Sequence, residues 1–311
     1  MEGTATPDTD KGRIPYFDLA KGICILLVVW YHLGAGTPFD IYLNAIRMPL
    51  YVFLSGLFFK TYGGLRGLMR RKTKKLLVPF FFFYMTTSVL LPVVLHKIGG
   101  MSFGTGQDWK LLYAFLTYHD FPNIPLWFLW GLFILNVSFY ALQRCVKSEV
   151  LLGILCLGLS ILLGYVLALP ASLSRAFGYM FFFYLGYVVR QHDLLQRVSV
   201  GYVLPASLML FVALGIPNPA SDALLLVRQY MMSVCGVLSL VLLCKLIGHL
   251  PYVSYVGRYS IMLLVTHEPL IRILNFMHVD NAVPCFLILL TAYLFIIPFM
   301  RRYMPHVTAQ T

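Results

Sequence analysis

Apolar runs dominate the chain. They fall at about 22–36, 42–59, 76–95, 123–142, 150–169, 176–190, 198–216, 228–247, 258–276 and 283–300, with short polar connectors between them. A run of about 20 apolar residues crosses the ~30 Å hydrocarbon layer of a bilayer as a helix. Several runs are short or broken by Pro and Gly, which membrane helices tolerate where neighbours satisfy the freed backbone groups. The pattern predicts an all-α, polytopic integral membrane protein with ten transmembrane helices. Residues 1–12 read as a disordered tail, 13–303 as one transmembrane domain, and 304–311 as a second tail. Leu33-Gly-Ala-Gly36 faintly resembles a signal cleavage site, but the acidic N-terminus and the spans that follow argue against a cleaved signal.

Composition agrees with the pattern. Of 311 residues, 59% are hydrophobic and 12% charged, and mean hydropathy is +0.79, which excludes an ordinary soluble domain. The net charge of +12 would suit a nucleic-acid binder, but its distribution does not. With the N-terminus inside, the inner segments hold Lys11, Arg13 and Lys21, then seven bases between Lys60 and Lys75. They go on with Arg144 and Lys147, Arg190 and Arg197, Lys245 and Arg258, and Arg301 and Arg302. Arg47, Lys97, Lys110, Arg175, Arg228 and Arg272 are left for the spans and the outside. That is the positive-inside bias, and it predicts cytoplasmic termini and no nucleic-acid partner. The six cysteines are scattered through apolar runs without metal or redox spacing, so they read as small buried hydrophobes and no metal is expected. The longest outer connector, about 96–122, carries Trp109, His119 and Asp120. It reads either as a polar connector or as a flap over the outer mouth.

Some spans carry groups that hydrocarbon does not favour. The first holds Asp18, Lys21 and His32. Lys21 and His32 are eleven residues apart, close to three turns and roughly 16 Å, so they share a face, with the histidine at mid-depth. Asp18 and Lys21 are spaced to pair across one turn. Arg47 opens the second span at a comparable depth, where snorkelling to the interface is the plain alternative. The ninth span holds Thr266-His267-Glu268-Pro269, with His267 roughly 14 Å beyond Arg258. Glu268 has Arg272 four residues on, the spacing of a helical ion pair, and is expected to turn toward it. Intramembrane ionisable residues are functional-site hypotheses by default; a histidine that merely bonds a neighbouring helix is the structural alternative. The cluster of Arg66, Arg70, Arg71, Lys74 and Lys75 serves topology and anionic headgroups, and also suits a cytosolic polyanion, since guanidinium forks grip phosphate.

Taken together, the chain resembles the acyltransferase 3 family of bacterial integral membrane acyltransferases. The matching stretches are Phe17-Asp18-Leu-Ala-Lys21-Gly22 through His32, Arg47-Met-Pro-Leu-Tyr-Val-Phe-Leu-Ser-Gly56 and Lys75-Leu-Leu-Val-Pro79-Phe. Further matches are Leu126-Trp127-Phe-Leu, Phe181-Phe-Phe-Tyr-Leu-Gly186-Tyr and Val256-Gly257-Arg258-Tyr-Ser260 to His267. The resemblance implies a ten-helix core in the bacterial cytoplasmic membrane and a cytoplasmic acyl-CoA co-substrate, commonly acetyl-CoA. It also implies an acceptor hydroxyl on a cell-envelope carbohydrate or lipid-linked glycan. His32 carries over as the catalytic histidine. Many family members have arginine where Lys21 stands, so bidentate pairing is lost there.

The expectation is therefore an O-acyltransferase with His32 as general base and Arg47 or His267 stabilising the oxyanion. Asp18, Lys21 and Glu268 would support it, and Arg66, Arg70, Arg71, Lys74, Lys75 and Arg258 would bind the donor. A polar passage should join the cytoplasm to His32, with a second opening to the outside. Two other classes fit the features: a secondary transporter, although no inverted repeat or paired broken helix is visible, and an envelope-assembly protein that kept the fold without catalysis.

Overall fold

The computed structural model describes residues 14–34, 40–91, 123–215 and 221–308. The tail 1–12 and the connector 96–122 lie outside the described residues. Among those described, every regular element is helical. Helix α1 is Pro15–His32 and α2 Asp40–Leu57. Helix α3 is built of the successive stretches Leu65–Lys72, Thr73–Leu77, Val78–Phe83 and Tyr84–Leu90, the second and fourth wound as π-helix. Then come α4 Ile124–Cys145, α5 Glu149–Val166, α6 Ala171–Gly178 and α7 Met180–Gln191. They are followed by α8 Val203–Gly215, α9 Asp222–Ile247, α10 Pro251–Arg258, α11 Ser260–Phe276 and α12 Ala282–Tyr303.

Local chemistry explains several boundaries. Pro15 and Pro251 sit in the first turns of α1 and α10, where a missing N–H costs nothing. Ser148 caps α5 by accepting from the Leu151 N–H at 3.4 Å. Between α2 and α3 the chain reverses through Tyr62, Gly63 and Gly64, all at positive φ, a conformation two glycines supply at little steric cost.

Four helices, α4, α5, α9 and α12, are long and apolar enough to cross a membrane, and this is a membrane protein. For the other helices the ten-span reading rests on the apolar and charge patterns. Among the described residues each expected run falls largely on helix. Segment 176–190 is divided at Tyr179, and an additional helix, α10, occupies the stretch expected to be a connector and stops at Arg258, where the ninth run opens and α11 begins. In both cases a tyrosine with ψ near zero breaks the ladder (φ −103°, ψ 7° at Tyr179; φ −111°, ψ 25° at Tyr259).

Helix α1 is the hub, touching α2, α9, α10, α11 and α12. Its broadest packing is on α10, and that of α2 is on α7. Glycines make both crossings. A Cβ on Gly257 would strike the Asp18 carbonyl oxygen, and one on Gly22 the Val253 carbonyl oxygen. A Cβ on Gly56 would strike Phe183, and one on Gly186 would strike Phe53, again at carbonyl oxygens. Lipid tails are as apolar as leucine, so close backbone approach and van der Waals contact drive such packing.

Candidate active site

The last residue of α1 meets the middle of α11. The His32 ring lies 5.1 Å from that of His267, edge to face. On its other side, His32 Nδ1 is 3.3 Å from Glu268 Oε2. Arg272 donates from Nε and Nη2 to Glu268 Oε1 at 3.1 and 3.0 Å. The Glu268–Arg272 pair is present, then, but it does not draw the carboxylate away. One oxygen serves arginine and the other histidine.

Proton positions follow from the partners. A carboxylate accepts, so Nδ1 of His32 carries the hydrogen, and in the neutral ring Nε2 is then the lone-pair nitrogen. His267 Nδ1 lies 2.7 Å from the Leu263 carbonyl oxygen, which also only accepts, so its Nε2 is likewise bare. That Nε2 is buried and has no hydrogen-bond partner among the described residues. His267 in this tautomer is an acceptor and has no N–H to offer an oxyanion. In the neutral ring, back-bonding to Leu263 takes the only hydrogen, so a role for His267 as oxyanion donor needs the charged ring, which carries a second N–H at Nε2.

Helix α11 is shaped for this meeting by Pro269. A proline cannot donate to the carbonyl four residues back, here Val265. That carbonyl is instead taken by Asn123 Nδ2 at 3.0 Å, while the same nitrogen donates to Thr87 Oγ1 at 2.8 Å. Asn123 is fully buried. Sequence reading passed over it, although a proline inside a span signals a freed carbonyl that some side chain must meet.

Arg47 belongs to a neighbouring network. It is 2% exposed. Nη1 donates to the Leu27 carbonyl at 3.0 Å, Nη2 bonds Asn44 Oδ1, and Asp40 is 4.0 Å away. Its guanidinium lies 4.4 Å from the Tyr31 ring centroid. It is buried rather than snorkelling, and its Nη donors are engaged by Leu27 of α1 and Asn44 of its own helix.

At the other end of α1 lies a cavity of about 320 Å³ lined by four cations, Lys21, Lys72, Lys75 and Arg258, with Tyr51, Ser55, Phe128 and Leu264 among its walls. Lys21 is steadied by Asp18 at 3.7 Å and lies over Phe58. The break at Tyr259 ends α10 so that Arg258 joins this wall. A second, more open basic cavity of about 560 Å³ shares Lys75 and adds Arg70, Arg71 and Lys74. Arg66 is exposed and is not among the residues lining either cavity. Lys72 counted among the inner bases of the sequence but not among the expected donor-binding residues, though it lies one turn from Lys75. Burial, with Lys75 and Arg71 nearby, pushes its ammonium down to about 8, and Lys75 is lowered by burial with Arg71 and Lys74 nearby. The first cavity reaches Leu264, one turn short of His267.

Among the described residues no group of His, Cys, Asp and Glu is arranged to hold a metal. No curated protein and no solved structure matches the chain. A family model described as an acyltransferase domain matches residues 14–304, nearly the whole length and every group described above, and the chain belongs to that family, acyltransferase 3.

Proposed function

We propose that this membrane acyltransferase moves an acyl group, acetyl being the expected one, from cytoplasmic acyl-CoA to a hydroxyl of a cell-envelope carbohydrate or lipid-linked sugar. It would act in the bacterial cytoplasmic membrane with His32 as general base. The observation that carries the reading is the contact series Arg272–Glu268–His32, which favours, in the neutral imidazole, the tautomer whose Nε2 accepts. This is the nucleophile–base–orienter logic of acyl transfer, with the substrate hydroxyl as nucleophile.

The acceptor hydroxyl donates to His32 Nε2 and passes its proton there as its oxygen attacks the thioester carbonyl. Glu268 steadies the imidazolium that results. Collapse of the tetrahedral adduct breaks the C–S bond, and the proton held by His32 goes to the departing CoA sulfur. His267 Nε2, able only to accept, orients a hydroxyl lying between the rings. On the donor side, Arg70, Arg71 and Lys74 suit the CoA phosphates, and the cavity of Lys21, Lys72, Lys75 and Arg258 suits their continuation toward the pantetheine arm. Membrane lipids surround the protein, and only the acyl group crosses.

Purified protein in detergent, given acetyl-CoA and envelope glycan, tests this. CoA release with acylated glycan, both absent in His32→Ala, is the expected result. Transport of a solute without CoA release would sink the enzyme reading in favour of a transporter. Inactivity of the well-folded wild type toward any acyl-CoA would sink the choice of donor.

A further inference from the structure

Helix α2, like α11, carries a proline in its interior, Pro49. Pro49 has no N–H to give the carbonyl four residues back, that of Ala45. In α11 the corresponding carbonyl, Val265, is met by Asn123. In α2, among the described residues, no side chain donates to the Ala45 carbonyl. Ala45 and Pro49 instead line a third cavity, of about 210 Å³, among α2, α7 and α9. A carbonyl freed inside a span takes its donor from a neighbouring group or from what fills the space beside it.

The cavity lies on the acceptor side of the molecule. Helices α1 and α2 are antiparallel: Arg47 bonds Leu27, whereas Tyr51 bonds the Lys21 carbonyl. The basic donor cavity takes Ser55 from the far end of α2. This one takes Asn44, Ala45 and Pro49 from the near end, the end beside His32. Asn44 bonds Arg47, Arg47 lies on the Tyr31 ring, and that ring is 5.4 Å from the ring of His32.

The rest of the lining narrows the chemistry. Phe182 and Tyr230 stack at 5.5 Å and 16°, and Tyr179 lies beside Phe182, so one wall is aromatic. Gln229 and Asn44 bring amides; the Asn44 oxygen accepts from Arg47, which leaves its NH2 to donate. Arg228, on the same wall, already holds an interaction of its own, and no ligand charge is inferred from it. A sugar ring has an apolar C–H face for the aromatic wall, and hydroxyls that donate to a carbonyl and bond amides both ways. An acyl chain would leave the carbonyl and amides unmatched, and water alone would leave the rings unmatched. The volume is below the ~300–1,000 Å³ of sites for drug-sized ligands and suits one pyranose unit.

We propose that this cavity binds one uncharged pyranose unit of the acceptor, with a ring hydroxyl donating to the freed Ala45 carbonyl and the C–H face against the aromatic wall. The assignment of this unit as acceptor rests on the acyltransferase reading; the binding itself does not.

The test is saturation-transfer NMR on the purified full chain, in a detergent without a sugar headgroup. The probes are methyl β-glucopyranoside, its galacto counterpart, their monodeoxy analogues, methyl β-glucuronide and tetrahydropyran. At least one neutral pyranoside should bind, and tetrahydropyran, which has no hydroxyl, should bind weaker by about tenfold or more. Pro49→Ala returns an N–H to the Ala45 carbonyl, so it should weaken pyranoside binding by about three- to tenfold. One monodeoxy analogue should show the same loss on the wild type and no further loss on Pro49→Ala, which identifies the hydroxyl. Gln229→Ala, at an exposed position, should weaken the pyranoside as well. Binding of no pyranoside, tetrahydropyran bound as tightly, or a Pro49→Ala protein that binds every probe as wild type would each overturn the proposal. So would a glucuronide bound about tenfold more tightly than the neutral ring. The deoxy series on the wild type stands even where Pro49→Ala fails to fold: if no single hydroxyl matters, the proposal falls. Acetyl-CoA turnover by the same preparation is read separately. Turnover lost in His32→Ala without sugar binding sinks this inference alone, and sugar binding without turnover sinks the acyltransferase donor reading alone.

Discussion

His32 and His267 have the same ring and different partners, and the partners decide the chemistry. His32 faces a carboxylate anchored by Arg272, so a proton taken at Nε2 meets a stabilising charge. His267 faces a helical carbonyl and gains less from protonation. His32→Ala is therefore expected to lose about 10²–10⁴-fold in acyl transfer, while His267→Ala loses less and chiefly through acceptor KM. Steady-state kinetics on both variants check the ranking. Glu268→Gln keeps the shape and removes the charge; a fall of at least about tenfold in kcat, with acyl-CoA binding intact, is expected. Lys72 makes a pH prediction on the donor side. Its ammonium is already lowered to about 8, so it loses charge as pH rises through that value. Acyl-CoA affinity should hold from pH 6 to 7.5 and weaken between 8 and 9.5. Lys72→Arg, whose guanidinium stays charged, should flatten the loss; titration calorimetry across that range measures it. An unchanged affinity at pH 9.5 in the wild type would remove Lys72 from the donor site.

At the scale of elements, the proline inside α11 and the asparagine that meets its freed carbonyl are one device. Asn123→Ala leaves the Val265 carbonyl without its partner, at a cost of about 1–3 kcal/mol, seen as a lower Tm in detergent. Adding Pro269→Ala returns an N–H to that carbonyl, so the double variant should regain stability without regaining activity, since Glu268 loses its aim. A double-mutant cycle on Tm and turnover separates the two. Additive losses in stability would refute the pairing. The same device marks what was legible in the chain. Positions of the apolar runs, the Asp18–Lys21 pair and the Glu268–Arg272 spacing could be read because each is set by periodicity within one helix. The link from Glu268 to His32, the bond from Asn123 and the engagement of Arg47 with Asn44 and Tyr31 could not. Apart from the Arg47–Asn44 bond, which lies within α2, they join residues far apart in the chain, and helical spacing says which face a side chain shares, not which distant neighbour it meets. The break at Tyr179 was invisible for a related reason: no Pro marks it, and the apolar pattern continues through it.

For the whole molecule, the charge pattern predicts that Lys60–Lys75 and both termini face the cytoplasm. Single cysteines placed at Lys60 and at Val279 should react with a membrane-impermeant maleimide from opposite sides of oriented vesicles; labelling from the same side would overturn the topology. The glycine crossings bear on something else, the order in which the protein is made. Gly22 of α1 fits against Gly257 of α10, 235 residues later in the chain. At the ~5–20 residues per second of protein synthesis, α1 waits roughly 12–47 s for the surface it was shaped to meet. Throughout that interval the newborn chain holds His32 without Glu268 beside it. A nascent chain released before α10 would be left with an open seam along its first helix, and such fragments should be short-lived in pulse-chase experiments, however many of their helices have already inserted.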